Sequence, residues 1–188
     1  VTDDADSIAA SVDSTTRNIV QGVLLTAVIL FFFLYNFRTT LIVAVTMPLT
    51  IVISLYFLGL LGYTLNAATL LAIGLSVGIL VTNSIVVIES IMKRYQESRD
   101  AHESARLGTR EVAVAVAASA GTNVVVLFPV ATMGSQVGLF FSPFALTMVV
   151  VTVVSLFISF TLTPILASVM LKPVRERSLL GRAQSMWD

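Results

Sequence analysis

Three stretches of this chain contain no charged residue, and their lengths restrict what the chain can fold into. They cover residues 18–37, 39–88 and 112–171. A helix crosses the roughly 30 Å hydrocarbon layer of a membrane in about 20 residues. The first stretch is therefore long enough for one crossing, and each of the other two is long enough for two. The pattern predicts an all-α integral membrane protein, a bundle of five transmembrane helices.

The composition excludes most alternatives to a membrane protein. Of the 188 residues, 56% are hydrophobic and 12% are charged, and the mean hydropathy is +0.94, which is too apolar for an ordinary soluble domain. Cysteine is absent, which excludes disulfides and thiolate chemistry, and His102 is the one histidine. We therefore expect no metal site and no other cofactor. The expected partner is the lipid bilayer and not a nucleic acid.

Two glycine-containing segments divide the long uncharged stretches. Residues 59–66 (GLLGYTLN) and 133–138 (MGSQVG) combine glycines with polar residues and can reverse the chain. The charged segment 93–110 has no proline, and we expect it to form a cytoplasmic amphipathic helix. The predicted order is an extracytoplasmic lead-in at 1–17, spans at 18–37, 39–61, 66–92, 111–133 and 140–171, and a cytoplasmic tail at 172–188 that is either interfacial or a solvated linker.

The basic residues lie almost entirely on one side of the predicted bundle. With five crossings, only Arg17 falls on the other side. Because cytoplasmic loops carry the excess of Lys and Arg, we expect the N-terminus outside and the C-terminus in the cytoplasm. The acidic start, without a secretory signal, leads us to expect an earlier crossing in a longer parent protein. The residues on the cytoplasmic side are Arg38, Lys93, Arg94, Arg99, Arg106, Arg110, Lys172, Arg175, Arg177 and Arg182.

The predicted third span contains polar residues at membrane depth. Thr82 and Asn83 are adjacent, and Glu89 follows Thr82 by seven residues, two turns further along the same face. Such side chains either hydrogen-bond a neighbouring helix or lie on the path of an ion or proton, and the residues alone leave both interpretations open. Gly74 and Gly78 form a Gly-x-x-x-Gly pair, which predicts close packing against another helix.

Several motifs give the chain a family resemblance. The third span resembles the fourth transmembrane helix of resistance-nodulation-division (RND) efflux permeases, and the other motifs follow in the family's order and spacing. The resemblance covers almost the whole chain and is closer to the first of the family's two repeated halves, from its second helix to its sixth. The motifs are 74–91 (GLSVGILVTNSIVVIESI), 36–42 (NFRTTLI), 47–49 (MPL), 127–134 (LFPVATMG) with Gly138, 162–165 (LTPI) and 171–173 (LKP).

The resemblance implies a function and a set of partners. A member of this family would be a multi-pass protein of the bacterial inner membrane that exports substrates by proton antiport, as in multidrug resistance. It would work as a homotrimer or heterotrimer with a periplasmic adaptor and an outer-membrane channel. The N-terminus would then be periplasmic. The substrate, drug or metal, is left open, because the family's large extracytoplasmic domains lie outside these residues.

The chain departs from the family pattern at Thr82 and Asn83. The family usually carries two neighbouring aspartates there, which take up and release protons. Thr and Asn do not titrate in the physiological range, so neither carries a proton by changing charge. Three interpretations remain open: a subunit whose coupling is supplied elsewhere, a permease coupled to a different ion, and a protein that has lost active transport.

The residues also bear on functions other than active transport. A structural or assembly subunit of an RND-like complex is the main alternative, and the Thr-Asn replacement is its best support. An intramembrane enzyme would need a metal triad, a paired carboxylate or a serine dyad, yet the spans contain no His, Lys or Asp and, apart from Glu111 at the first position of the fourth, one Glu, so we expect no enzyme. No segment has the charged or carbonyl-lined filter of a channel.

Overall fold

The computed structural model describes residues 37–171 and scattered helical positions between 10 and 28. The predicted span 18–37 is therefore described only in part, as is the lead-in 1–17, and the predicted tail 172–188 lies outside the described residues. Within residues 37–171 every regular element is a helix. An all-α fold is confirmed.

Four long helices fill the described region. We number them α1 (Phe37–Leu60), α2 (Ala67–Ser98), α3 (Ala101–Ala131) and α4 (Gln136–Met170). Each is long and apolar enough to cross a membrane. They correspond to the second to fifth predicted spans, so the membrane-bundle prediction is confirmed for the part of the chain that the structure describes.

The predicted chain reversals coincide with two of the helix breaks. After α1, Gly62 adopts a φ of +79°, a left-handed conformation that glycine accepts without strain. Asn66 then caps α2, accepting a bond from the Thr69 amide while the Thr69 hydroxyl accepts one from the Asn66 amide. Before α4, the Ser135 side chain accepts a bond from the Gly138 amide.

The charged segment is folded differently from the prediction. We expected a separate amphipathic helix at 93–110, but α2 continues to Ser98 and α3 begins at Ala101. The chain turns at Arg99, whose φ is +56°, and the Asp100 carboxylate accepts bonds from the amides of His102 and Glu103 at 2.9 and 3.1 Å. The cap starts a new helix here, so the segment forms the polar end of an α2–α3 hairpin.

Helix α4 lies against each of the other three described helices, whereas α1 contacts only α2 and α4 among them. Polar contacts between α2 and α4 advance in the same direction along both chains, from Ser76 with Met148 to Ser84 with Ser159. The two helices are therefore parallel. The Arg38 guanidinium donates to the Met170 carbonyl at 3.3 Å, so the start of α1 and the end of α4 lie at one end of the bundle.

A close backbone contact joins α2 to α3. A Cβ added to Gly108 would stand 2.7 Å from the Ile91 backbone, so only glycine fits this position as the helices are placed. The Ser90 hydroxyl donates to the Gly108 carbonyl at 2.9 Å. Nearby, the Arg94 side chain bonds Glu111 at 2.9 Å. The hairpin is thus fixed by contacts between its own two helices.

Candidate functional site

Thr82 and Asn83, although adjacent in sequence, point in different directions. Thr82 is exposed on the described bundle and its hydroxyl donates to the Gly78 carbonyl of its own helix at 2.9 Å. Asn83 is 6% exposed and faces α4. Only one of the two predicted site residues therefore lies in the described core.

Asn83 belongs to a polar contact between α2 and α4. Its Nδ2 lies 3.5 Å from the Ser155 Oγ, and one residue further along α2 the Ser84 Oγ lies 3.5 Å from the Ser159 Oγ. All four residues are buried, with exposures between 0% and 6%. Hydroxyl hydrogen bonds are normally about 2.7–2.8 Å long and amide N–H···O bonds about 2.9–3.0 Å, so both contacts are long, weak hydrogen bonds.

Most other helical hydroxyls in the described region bond strongly to their own helix. A hydroxyl donates to a carbonyl three or four residues earlier at 2.6–3.0 Å in Thr46, Thr50, Ser54, Ser76, Thr82, Thr122, Thr147, Thr152, Thr161 and Ser168. Ser84, Ser155 and Ser159 make no such bond. Since a helical Ser or Thr commonly bonds the preceding turn, these three hydroxyls remain available at the α2–α4 contact.

A further hydroxyl that does not bond its own helix lies on α4, beyond Ser155 and Ser159. Thr163 is 0% exposed and its Oγ1 has no hydrogen-bond partner among the described residues, a state shared with Tyr95 and Thr109. Four residues beyond Ser159, it lies on the same face of α4. Pro164 lacks an amide hydrogen and so cannot bond the carbonyl oxygen of Phe160. Oxygen atoms therefore follow one side of α4 over two turns.

The opposite side of α2 is open in the described region. Gly74 and Gly78 are exposed, and a Cβ at either would have nothing within 4 Å. No described residue packs on the predicted Gly-x-x-x-Gly pair, whose packing stays a prediction. Glu89 is exposed like Thr82, which matches a separation of seven residues on one helix. These residues form the open face of α2: Gly74, Gly78, Thr82 and Glu89.

Sequence reasoning missed the α4 contribution. Ser155, Ser159 and Thr163 recur every four residues within an otherwise apolar segment, VVSLFISFTLTP. This period was a usable signal, but only the packing reveals that the row faces Asn83. Apart from Tyr95, every buried residue with a polar side chain in the described region is Thr, Ser or Asn, and no group of His, Cys, Asp or Glu there could hold a metal ion.

Comparison with known proteins gives the family. The model of the "AcrB/AcrD/AcrF family" matches residues 1–186. The chain is 38% identical over 182 residues to the swarming motility protein SwrC of Bacillus subtilis, covering 95% of this chain and 17% of that protein. It is 32% identical over 176 residues to the multidrug resistance protein MdtC of Pantoea ananatis, covering 94% and 17%.

A third relative is the multidrug resistance protein MdtC of Escherichia coli, 33% identical over 175 residues and covering 93% of this chain. The chain spans 17% of the length of each of these three relatives. A match over nearly all of the chain agrees with the motif resemblance and with the helical membrane fold. This chain belongs to the AcrB/AcrD/AcrF family of RND permeases.

Proposed function

We propose that these residues form part of the membrane domain of an RND-type exporter, the part that surrounds its ion-coupling position. The observation that carries the proposal is the family match over residues 1–186. The buried polar contact at Asn83, in the helix that resembles the family's coupling helix, supports it further. The transported substrate would be bound mainly by other parts of a longer permease.

The orientation proposed for the helices follows from the distribution of charge. The α1 start, the α4 end and the α2–α3 turn share one end of the bundle, because α2 runs parallel to α4. That end carries Arg38 and the basic residues of the α2–α3 turn. By the positive-inside rule it faces the cytoplasm. The N-terminal side of the chain is then periplasmic and the C-terminal side cytoplasmic, in the bacterial inner membrane.

The proposed assembly follows the family. The permease works as a homotrimer or heterotrimer with a periplasmic adaptor and an outer-membrane channel. Export is a secondary active process, but Thr82 and Asn83 do not carry its protons, because neither side chain ionises. Glu89 is one carboxylate near the cytoplasmic end of the same helix that is able to take part in an ion path.

A second candidate is a structural or assembly subunit of an RND-like complex that does not transport. The neutral coupling position favours it, because a scaffold subunit has no need of ionisable groups there. The two candidates predict different behaviour of the native protein in a transport assay, since only an exporter moves substrate against a gradient.

The test uses the full-length protein in proteoliposomes under an imposed pH gradient without Na⁺. Native protein is compared with Thr82→Asp/Asn83→Asp and with Thr122→Asp, which adds a carboxylate at another exposed helical threonine. We expect the double Asp variant to export a fluorescent substrate, and native and Thr122→Asp protein to do so at least tenfold more slowly. Fast native export with proton counterflow would contradict the account of the coupling position. Export by none of them under any ion gradient would favour the scaffold.

A further inference from the structure

The α2–α4 contact has the properties of a site for a small cation. Asn83, Ser84, Ser155 and Ser159 bring a carboxamide and three hydroxyl groups to the buried contact between the two helices, as two neighbouring pairs. None of the three hydroxyls is taken up by its own helix, in contrast with most helical hydroxyls of the described region. Burying oxygen atoms in an apolar core without strong hydrogen bonds costs free energy. Binding of a ligand that contacts these oxygen atoms is therefore favoured.

We propose that Asn83, Ser84, Ser155 and Ser159 bind a sodium ion between α2 and α4. The inference deepens the proposed export function, on which the role of the ion in coupling rests. Binding of the ion does not depend on export and is measured separately. Asn83 thus binds the ion directly, at a position where the family usually carries an aspartate that takes up and releases a proton.

The distances fit a cation better than direct hydrogen bonds. Ligand oxygens about 2.4 Å from a cation, within the range for Ca²⁺, lie about 3.4 Å apart when they are adjacent in an octahedron. The Ser84 and Ser159 oxygens are 3.5 Å apart, and so are the side chains of Asn83 and Ser155. A half-turn of the carboxamide places Oδ1 instead of Nδ2 toward Ser155. Each of the two neighbouring pairs then offers two oxygen atoms to an ion.

The charge of the site selects a monovalent cation. The four side chains are neutral, and no buried residue in the described region is charged. Divalent cations are usually bound with carboxylates, which compensate for their larger loss of hydration. An anion would need charged donors or a helix N-terminus, and the contact lies far inside both helices. Sodium matches the neutral oxygen set and the spacing.

The polar residues on one side of α4, Ser155, Ser159 and Thr163, provide a path for the ion toward the basic end of the bundle. Thr163 offers an unbonded, fully buried hydroxyl one turn beyond Ser159, and Pro164 leaves the Phe160 carbonyl without its usual amide partner. Carbonyls released from a distorted membrane helix are common ligands for Na⁺ in transporters. Glu89, about 9 Å along the α2 axis from Asn83, attracts a cation toward the same end.

The test measures sodium binding by the purified full-length protein. Its thermal unfolding midpoint is recorded in NaCl, KCl and choline chloride at equal ionic strength. We expect a saturable rise in Na⁺ that is at least tenfold weaker in K⁺ and absent in choline. Ser155→Ala and Ser159→Ala should each raise the half-saturating Na⁺ concentration at least tenfold. Ser54→Ala, an equally buried serine that bonds its own helix at 2.7 Å, should leave that concentration unchanged.

The outcomes separate the site from the export function. An identical midpoint in all three salts means that the contact holds water only and overturns the inference, as does a sodium response that survives Ser155→Ala. If a variant is too unstable for a thermal midpoint to be measured, retention of ²²Na⁺ at low temperature is measured instead. The same loss of sodium binding is expected. Sodium binding without export under any gradient supports the sodium site and contradicts the proposed export function. Export driven by protons without sodium binding supports the exporter and overturns the sodium site.

Discussion

The two neighbours of α2 are held to it in different ways. Toward α3 the contact is tight, with the Gly108 backbone against the Ile91 backbone and the Arg94–Glu111 ion pair beside it. Toward α4 the polar side chains are buried but separated by 3.5 Å at Asn83–Ser155 and Ser84–Ser159. The first is a close backbone contact with no room for a ligand. The second is held by long contacts between polar side chains, which a bound ion of the kind proposed above can replace.

The largest effect on stability is expected at the α2–α3 contact. Gly108→Ala places a Cβ 2.7 Å from backbone atoms, which cannot move away as a flexible side chain can. Overpacking of this kind costs about 1–3 kcal/mol. The thermal midpoint of the full-length protein should fall clearly, with no change in the sodium response of the molecules that remain folded.

Gly121→Ala is the matched control for that substitution. Gly121 lies in the same helix and has nothing within 4 Å of an added Cβ. Alanine is favoured over glycine in a helix by about 1 kcal/mol, so this variant should be as stable as the native protein or more so. Equal destabilisation by both alanines would show that α3 does not pack on α2 through Gly108.

A smaller effect distinguishes the serines of α1 and α4. Ser54 bonds the Thr50 carbonyl at 2.7 Å, whereas Ser155 has only the 3.5 Å contact with Asn83. Polar contacts between membrane residues contribute about 0.6 kcal/mol on average. Without sodium, Ser54→Ala should lower the thermal midpoint more than Ser155→Ala; in saturating sodium, the order should reverse. An unchanged order in the two conditions would mean that Ser155 serves packing alone.

The smallest effect is expected at the polar end of the hairpin. Arg94 pairs with Glu111 and Glu97, but its side chain is 43% exposed, so water and salt screen the pairs. Arg94→Gln should leave the thermal midpoint unchanged within error and the sodium response intact. A large loss of stability would mean that the ion pair, and not the glycine contact, holds α2 against α3.

The parts of the fold that the sequence predicted are those governed by short-range chemistry. Uncharged runs longer than a membrane crossing define the spans, and Gly62 and Asn66 stop and restart helices by their own conformational preferences. The break at Arg99 was missed, because it contains neither glycine nor proline and depends on a cap by Asp100. Local composition there suits a helix throughout.

The candidate site was only half predictable for a different reason. Asn83 is conspicuous in an apolar span, so the sequence alone draws attention to it. Ser155 and Ser159 look like ordinary helix serines until α4 is placed parallel to α2 and brings them opposite Asn83 and Ser84. The expected helix contact at Gly74 and Gly78 stays a prediction, since no described residue lies within 4 Å of a Cβ added at either position.

We propose that the coupling position is neutral and takes an ion other than a proton. The most direct measurement compares native full-length protein in proteoliposomes under a sodium gradient at equal pH and under a pH gradient in sodium-free buffer. We expect substrate export in the first condition and at least tenfold slower export in the second. Equally fast export under the pH gradient alone would contradict it.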